Sequence, residues 1–293
     1  MKKLLLFTSI LLTAAILLCG CNTTPDDPEK LPGDYEYIVY SLEDEQFITL
    51  TKYVGKATDV VVPTELDGLP VMEIGENCFA GTAVVSVIVP DEITVIERSA
   101  FAKCASLTSV KLPENMLYLG VQAFAECSSL KEITLPVTGV TEYSVSLFLG
   151  SAVEKVTLPE GMEIIPASAF FATNLTEITL PSTIKTVGAN AFAGCTLLTS
   201  VNLNEGLVSI GDNAFMSASA LEEIVIPASV QSLTESAFLR CSALNKVMFE
   251  GNATAFKLDN ASFTEEINYT VYYHEGAEGF TASEWEGFRV EIW

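Results

Sequence analysis

Seven cysteines and one histidine are the residues of this 293-residue chain best suited to covalent or metal chemistry. Cys104, Cys127, Cys195 and Cys241 each stand three residues after a phenylalanine, where other stretches carry Thr82, Ser151, Thr173 and Ala218. A position filled by Cys, Thr, Ser or Ala asks for a small side chain, and free cysteine is a common buried one. A Cys104–Cys127 disulfide is disfavoured, because side chains stacked in parallel fit the bond's torsion poorly. There is no C-x-x-C pair and no zinc-ligand spacing. The lone His274, between Tyr273 and Glu275, cannot build a multi-histidine centre and reads as a partly exposed turn residue. Asp and Glu number 38, at positions expected to face outward without a pocket. No phosphate-binding loop, Gly-x-Ser-x-Gly or calcium loop occurs. The expectation is therefore a protein without catalytic residues, metal or cofactor. With 15 Lys+Arg the formal net charge is -23, which argues against nucleic acid, whose phosphates need clustered cations.

Cys19 and Cys21 belong to other chemistry. Met1-Lys2-Lys3 is followed by an apolar run from Leu4 to Leu18, the basic and apolar regions of a secretory signal. The run is shorter than the roughly 20 residues of a spanning helix. Leu18-Cys19-Gly20-Cys21 resembles the bacterial lipoprotein lipobox. That resemblance implies cleavage after Gly20 and acylation of Cys21, although Cys19 stands where the pattern prefers a small residue such as Ala. Residues 22–33, NTTPDDPEKLPG, are polar and proline-rich, and read as a tether between lipid and fold. The chain is thus expected to be secreted and held at a membrane through lipid on Cys21, with the cell surface as its expected place.

The elements that must position everything else follow from a repeat. Phenylalanines 79, 101, 124, 148, 170, 192, 215 and 238 are separated by 22, 23, 24, 22, 22, 23 and 23 residues. A second marker keeps the same beat: Pro63, Pro90, Pro113, Pro136, Pro159, Pro181, Asn204, Pro227 and Glu250. Aliphatic residues precede it by six, three and one positions, as in Leu175, Ile178 and Leu180. This L-x-x-L-x-L pattern is the strand signature of a leucine-rich repeat. Apolar-polar-apolar alternation makes a short strand with one buried face. Proline, having no N–H, ends its ladder. Gly120, Gly188 and Gly211 are expected to permit a tight bend, and the phenylalanine after each Ala to stack coil on coil. Extra residues around Asp67-Gly68-Leu69-Pro70, and near Gly139, are expected to bulge as loops.

Aromatic residues gather at both ends, among them Tyr35, Tyr37, Phe47 and Tyr53 before the first coil and Phe249, Trp285 and Trp293 after the array. A solenoid needs its terminal coils covered, and bulky side chains make good lids. The alternative is an aromatic platform for glycans. Between the ends, two columns of each strand should face outward. Two before the marker stand Val61, Ile88, Lys111, Thr134, Thr157, Thr179, Asn202, Val225 and Met248. Four before it stand Asp59, Ser86, Ser109, Glu132, Lys155, Glu177, Ser200, Glu223 and Lys246. From these we single out Lys111, Glu132, Thr134, Lys155, Thr157, Glu177, Thr179, Asn202 and Glu223 as a candidate binding face.

The unit L-x-x-I-x-L-P followed by I-G-x-x-A-F-x-x-C resembles the BspA-like leucine-rich repeats of bacterial surface proteins, from about Ala57 to Phe263. The resemblance implies a solenoid of roughly ten coils, with a parallel sheet on one side and irregular or short helical turns on the other. It also implies surface display and contact with a protein ligand, in some members host matrix proteins. The expected division is signal 1–20, tether 21–33, N-terminal cap 34–56, repeats 57–250, and a degenerate last coil with C-terminal cap 251–293. Glycan or cell-envelope binding through the cap aromatics is the alternative function.

Overall fold

A computed structural model describes residues 33–42, 45–136, 143–234, 236–252, 257–258, 270–280, 284–285 and 288–293. Cys21, the tether to residue 32, the extra residue near Gly139 and Phe263 of the last coil lie outside them. The described chain opens on a hairpin of β1 (Tyr35–Leu42) and β2 (Glu45–Tyr53). After β3 (Asp59–Val61) comes a second hairpin, β4 (Glu65–Leu66) and β5 (Leu69–Ile74). The extra residues at 67–70 therefore make no loose loop: Asp67 and Gly68 both have positive φ, 49° and 80°. That pairing of conformations matches the twist of a two-residue hairpin turn.

From there longer and shorter strands alternate: β6 (Ser86–Ile88), β7 (Val95–Ile96), β8 (Ser109–Lys111) and β9 (Tyr118–Leu119). Next come β10 (Glu132–Thr134), β11 (Lys155–Thr157), β12 (Ile164–Ile165), β13 (Glu177–Thr179), β14 (Thr186–Val187), β15 (Ser200–Asn202) and β16 (Ser209–Ile210). The series closes with β17 (Glu223–Ile226), β18 (Ser232–Leu233), β19 (Lys246–Phe249), β20 (Lys257–Leu258), β21 (Thr270–Tyr273), β22 (Glu284–Trp285) and β23 (Phe288–Ile292).

Each regular coil has three sides. The strand before the marker pairs in parallel with its counterpart in neighbouring coils, giving β3-β6-β8, β10-β11, β13-β15 and β17-β19-β21-β23. The two-residue strands, led at the N-terminal end by the longer β2 and β5, form a second parallel ladder, β2-β5-β7-β9 and then β12-β14-β16-β18-β20. At its ends the array reverses direction: β1 runs antiparallel to β2, and β22 antiparallel to β23. The third side is a turn carrying its own ladder. Asn77, Phe79 and Gly81 donate their N–H groups to the carbonyls of Arg98, Ala100 and Ala102 in the next coil, at 3.1, 2.8 and 2.8 Å. The amides between them bond within the coil, as in Ala80 to Asn77 at 3.0 Å. Irregular turns, with no helix among the described residues, make up this side. Left-handed residues frame it, such as Asn77 and Gly81 or Asn190 and Gly194. Small polar residues and glycine tolerate that region best.

The core runs down the middle as a stack of rings. From Phe79 to Phe238 successive phenylalanines lie 4.9–5.8 Å apart with planes within 14° of parallel, and each is at most 1% exposed. Tyr53 continues the stack at 5.0 Å from Phe79, and Tyr35 lies against both. Gly120 and Gly188 serve close approach and not a sharp bend, since neither has positive φ. A β-carbon at Gly120 would sit 2.5 Å from the backbone nitrogen of Arg98, and one at Gly188 2.7 Å from that of Ala167. Only glycine lets one coil lie that close on the next.

Candidate interaction face

In each strand before the marker the middle residue points inward. Val60, Val87, Ile133, Ile178, Ile224 and Val247 are buried. The residues on either side must then point outward, because side chains alternate across a strand. Parallel pairing stacks them in rows: Asp59, Ser86 and Ser109; Glu132 and Lys155; Glu177 and Ser200; Glu223 and Lys246. The companion rows are Val61, Ile88 and Lys111; Thr134 and Thr157; Thr179 and Asn202. All nine residues singled out from the sequence are exposed on this one side. Met248 is the exception to the outward column: only 4% exposed, it lies between Val225 and Tyr272 in the register. At the other end Val61 and Ile88 are exposed at 65% and 44%, a small apolar start to an otherwise polar face.

The face is held by weak links. Ser86 donates to Asp59, Asn202 Nδ2 to Thr179 Oγ1 at 3.2 Å, and Lys246 Nζ lies 3.6 Å from Glu223. Glu132 and Lys155 are partners in register, but the close ion pair is the flanking one, Lys131 to Glu154 at 2.7 Å. Exposed pairs of this kind are worth about 0–1 kcal/mol each. Their charges are therefore available to a partner at small cost. An open groove of about 900 Å³ crosses the face between β8 and β10, lined by Thr108, Ser109, Lys111, Lys131, Glu132 and Thr134 among others.

The thiols are placed for packing. Cys104, Cys127, Cys195 and Cys241 are fully buried, and each donates to the carbonyl of a phenylalanine in the preceding coil, at 3.0–3.1 Å. They are thus small fillers that also tie coil to coil, a link that no spacing rule in the sequence exposes. Burial pushes the Cys195 thiol up to about 11 and the Cys127 and Cys241 thiols up to about 12. A thiolate is the reactive form, so these groups are inert in the fold. His274 is exposed, its ring 4.4 Å from that of Trp293. Three carboxyl groups are perturbed, Glu97 among them, raised chiefly by burial. Glu73 is raised by burial while Thr49 Oγ1 donates to it at 2.7 Å. Glu250 is pushed up to about 7 by burial and by its hydrogen bond with Glu205 two coils away. None of the three lies on the strand face. Among the described residues no group of three His, Cys, Asp or Glu side chains gathers as a metal site.

The aromatic ends divide. Tyr35, Tyr37, Phe47 and Tyr53 are buried in the N-terminal hairpin, with Tyr37 Oη donating to Asp67 at 2.8 Å. At the other end Phe249 is buried, Phe280 stacks on Tyr273 at 4.7 Å, and Trp293 remains 45% exposed. At the N-terminal end Tyr35 and Tyr53 pack directly over Phe79, the first ring of the repeat series. The Trp285 side chain lies outside what is described.

A family model described as the BspA type leucine rich repeat region matches residues 58–173 and 163–275, in six copies. Among solved structures, a leucine-rich repeat protein from Bacteroides ovatus is 23% identical. The match covers 84% of this chain and 71% of that one, with a TM-score of 0.59. A leucine-rich repeat protein from Bacteroides capillosus is 35% identical over 45% of this chain and 98% of that one, with a TM-score of 0.40. No curated protein matches the chain.

Proposed function

Since this chain belongs to the BspA-type leucine-rich repeat family, we propose that it is a non-catalytic cell-surface lipoprotein whose strand face binds another protein. One observation carries the reading: nine exposed residues of both charges and several hydroxyls line one side of the array, paired in register within short runs of strands. Such a surface suits an extended protein contact, where rows of charge set orientation and rate. The partner class suggested by the family resemblance is host matrix or cell-surface protein. The apolar run and Leu18-Cys19-Gly20-Cys21 support export and a lipid on Cys21. The aromatic alternative is weakened at the N-terminal end, where the rings are consumed in packing.

The test is binding of the full-length chain to an immobilised panel of host matrix proteins. Reversing Glu132, Lys155 and Glu177 together is expected to weaken capture at least tenfold, about 1.4 kcal/mol. Capture untouched by these reversals removes the face from the reading. The anchor is read in the same preparation, where Cys21→Ser should move the chain from the membrane to the soluble fraction.

A further inference from the structure

The strand face ends differently at its two extremes. At the C-terminal end β22 runs antiparallel along β23 and closes the sheet. At the N-terminal end β1 covers the second ladder in the same way, by pairing antiparallel with β2. The first strand of the face, β3, pairs among the described residues with β6 alone. Its far side is open to solvent: Lys56, Ala57, Thr58, Asp59 and Val61 are all exposed, Val61 at 65%.

This strand is nonetheless held in place. The Tyr53 hydroxyl donates to the Ala57 carbonyl at 2.9 Å, just before it. Val85 and Ser86 donate their N–H groups to the Thr58 carbonyl at 2.7 and 3.1 Å, and Val62 N–H donates to the Ile88 carbonyl at 3.0 Å. Backbone groups of a strand turn alternately to its two sides. With Thr58 and Val62 turned towards β6, the N–H and C=O groups of Asp59 and Val61 turn outward. The side chains beside them divide by chemistry. Val61 is in register with Ile88, itself 44% exposed, which makes a short apolar row. Asp59 is in register with Ser86, whose hydroxyl donates to its carboxylate, and Thr58 Oγ1 donates to the other oxygen at 3.3 Å. The exposed charges of this stretch, Asp59 and Glu65 against Lys56, leave it acidic.

We propose that β3 is a docking edge for an extended, basic segment of a protein partner, which adds to the face as its next strand. The outward N–H and C=O groups supply the ladder, and alternate side chains give the selectivity. Val61 and Ile88 take an apolar side chain, and Asp59 takes a cationic one two positions away. An open edge carrying exposed apolar residues is an association hazard that folds ordinarily blunt, as this one does with β1 and β22. Charge decides the occupant: a second copy would set net charge -23 against net charge -23, whereas a cationic segment is drawn to the edge. That the edge extends a binding face rests on the proposed function, but strand addition at β3 does not.

The experiment follows, by fluorescence anisotropy, a labelled octapeptide that alternates valine with lysine and threonine, added to the full-length chain carrying Cys21→Ser. Saturable binding is expected, weakened about tenfold or more when alternate peptide nitrogens are methylated, which removes donors and keeps charge. Val61→Pro takes away one outward donor at a position where an edge strand tolerates proline, and should weaken binding about tenfold. Asp59→Lys touches no ladder bond, so it tests the edge even where the proline variant fails to fold, and should cost about fivefold. No saturable binding, or binding that none of these changes weakens, overturns the edge. So does a monomer–dimer step that Val61→Pro abolishes, which assigns β3 to a second copy. A gain in affinity on deleting residues 22–32 overturns it too, by assigning β3 to the chain's own leader. If the peptide binds at β3 while the charge reversals leave matrix capture unchanged, the docking edge stands and the reading of the face falls. If the peptide fails while capture is charge-sensitive, the edge falls and the face stands.

Discussion

Phe192 has its neighbours' rings 5.4 and 5.2 Å away and no exposure at all. Its removal takes away two stacking contacts and leaves a void that the flanking coils cannot easily close, because their backbones are already tied through the turn side and the second ladder. Phe192→Ala is expected to cost about 3–5 kcal/mol, measured by equilibrium denaturation. A loss below about 1 kcal/mol would refute the buried stack. The carboxyl of Glu250 offers a second test. Its folded pKa of about 7 lies above the 4.5 of the free group. The folded state therefore holds a proton that the unfolded chain releases, and this contribution is full below pH 4.5 and fades as pH rises towards 7. Glu250→Gln should flatten the fall in thermal midpoint across that window relative to the parent chain. Glu250 is partly exposed, so solvent screening keeps the change small. An unchanged slope would mean that Glu205 and Glu250 do not share a proton.

The elements are legible in unequal measure. The strand before each marker is written as three aliphatic positions against two polar ones, and the phenylalanine beat alone implies the stack. The second ladder is not legible: pairs such as Thr186–Val187 or Ser209–Ile210 are too short to carry a period of two. The glycines are visible in the sequence, but their role is not. A sequence shows that Gly120 lacks a side chain, whereas the reason lies 2.5 Å away on another coil. The Asp67-Gly68 signal points to a turn, yet the strands on either side of it depend on the pairing of β5 with β2, and the turn on the Tyr37 hydroxyl bonded to Asp67, which is tertiary information. At the face, the outward columns follow from alternation alone. Met248 departs from them because the register there meets Tyr272 and the array is already closing.

Across the whole molecule, a net charge of -23 keeps like copies apart. The mixed signs along the strand face stand out against that background, as do the two terminal strands that run against their neighbours. A solenoid is a short length of one-dimensional crystal. Each coil is carried onto the next by almost the same screw displacement, so a bare last coil would offer a second copy what it offers its own neighbour. Such a head-to-tail contact has no closing point and grows into a fibre. β1 and β22 break the screw. Each presents, at one end of one ladder, a strand of the wrong polarity to be the next repeat, so that ladder cannot be continued in parallel by another copy there. Sedimentation of the full-length chain carrying Cys21→Ser should show a monomer over about a hundredfold range of concentration. Removal of residues 35–42 should yield species that lengthen as concentration rises. In crystallographic terms each end face of the lattice carries one row cut so that the next unit cell does not continue it.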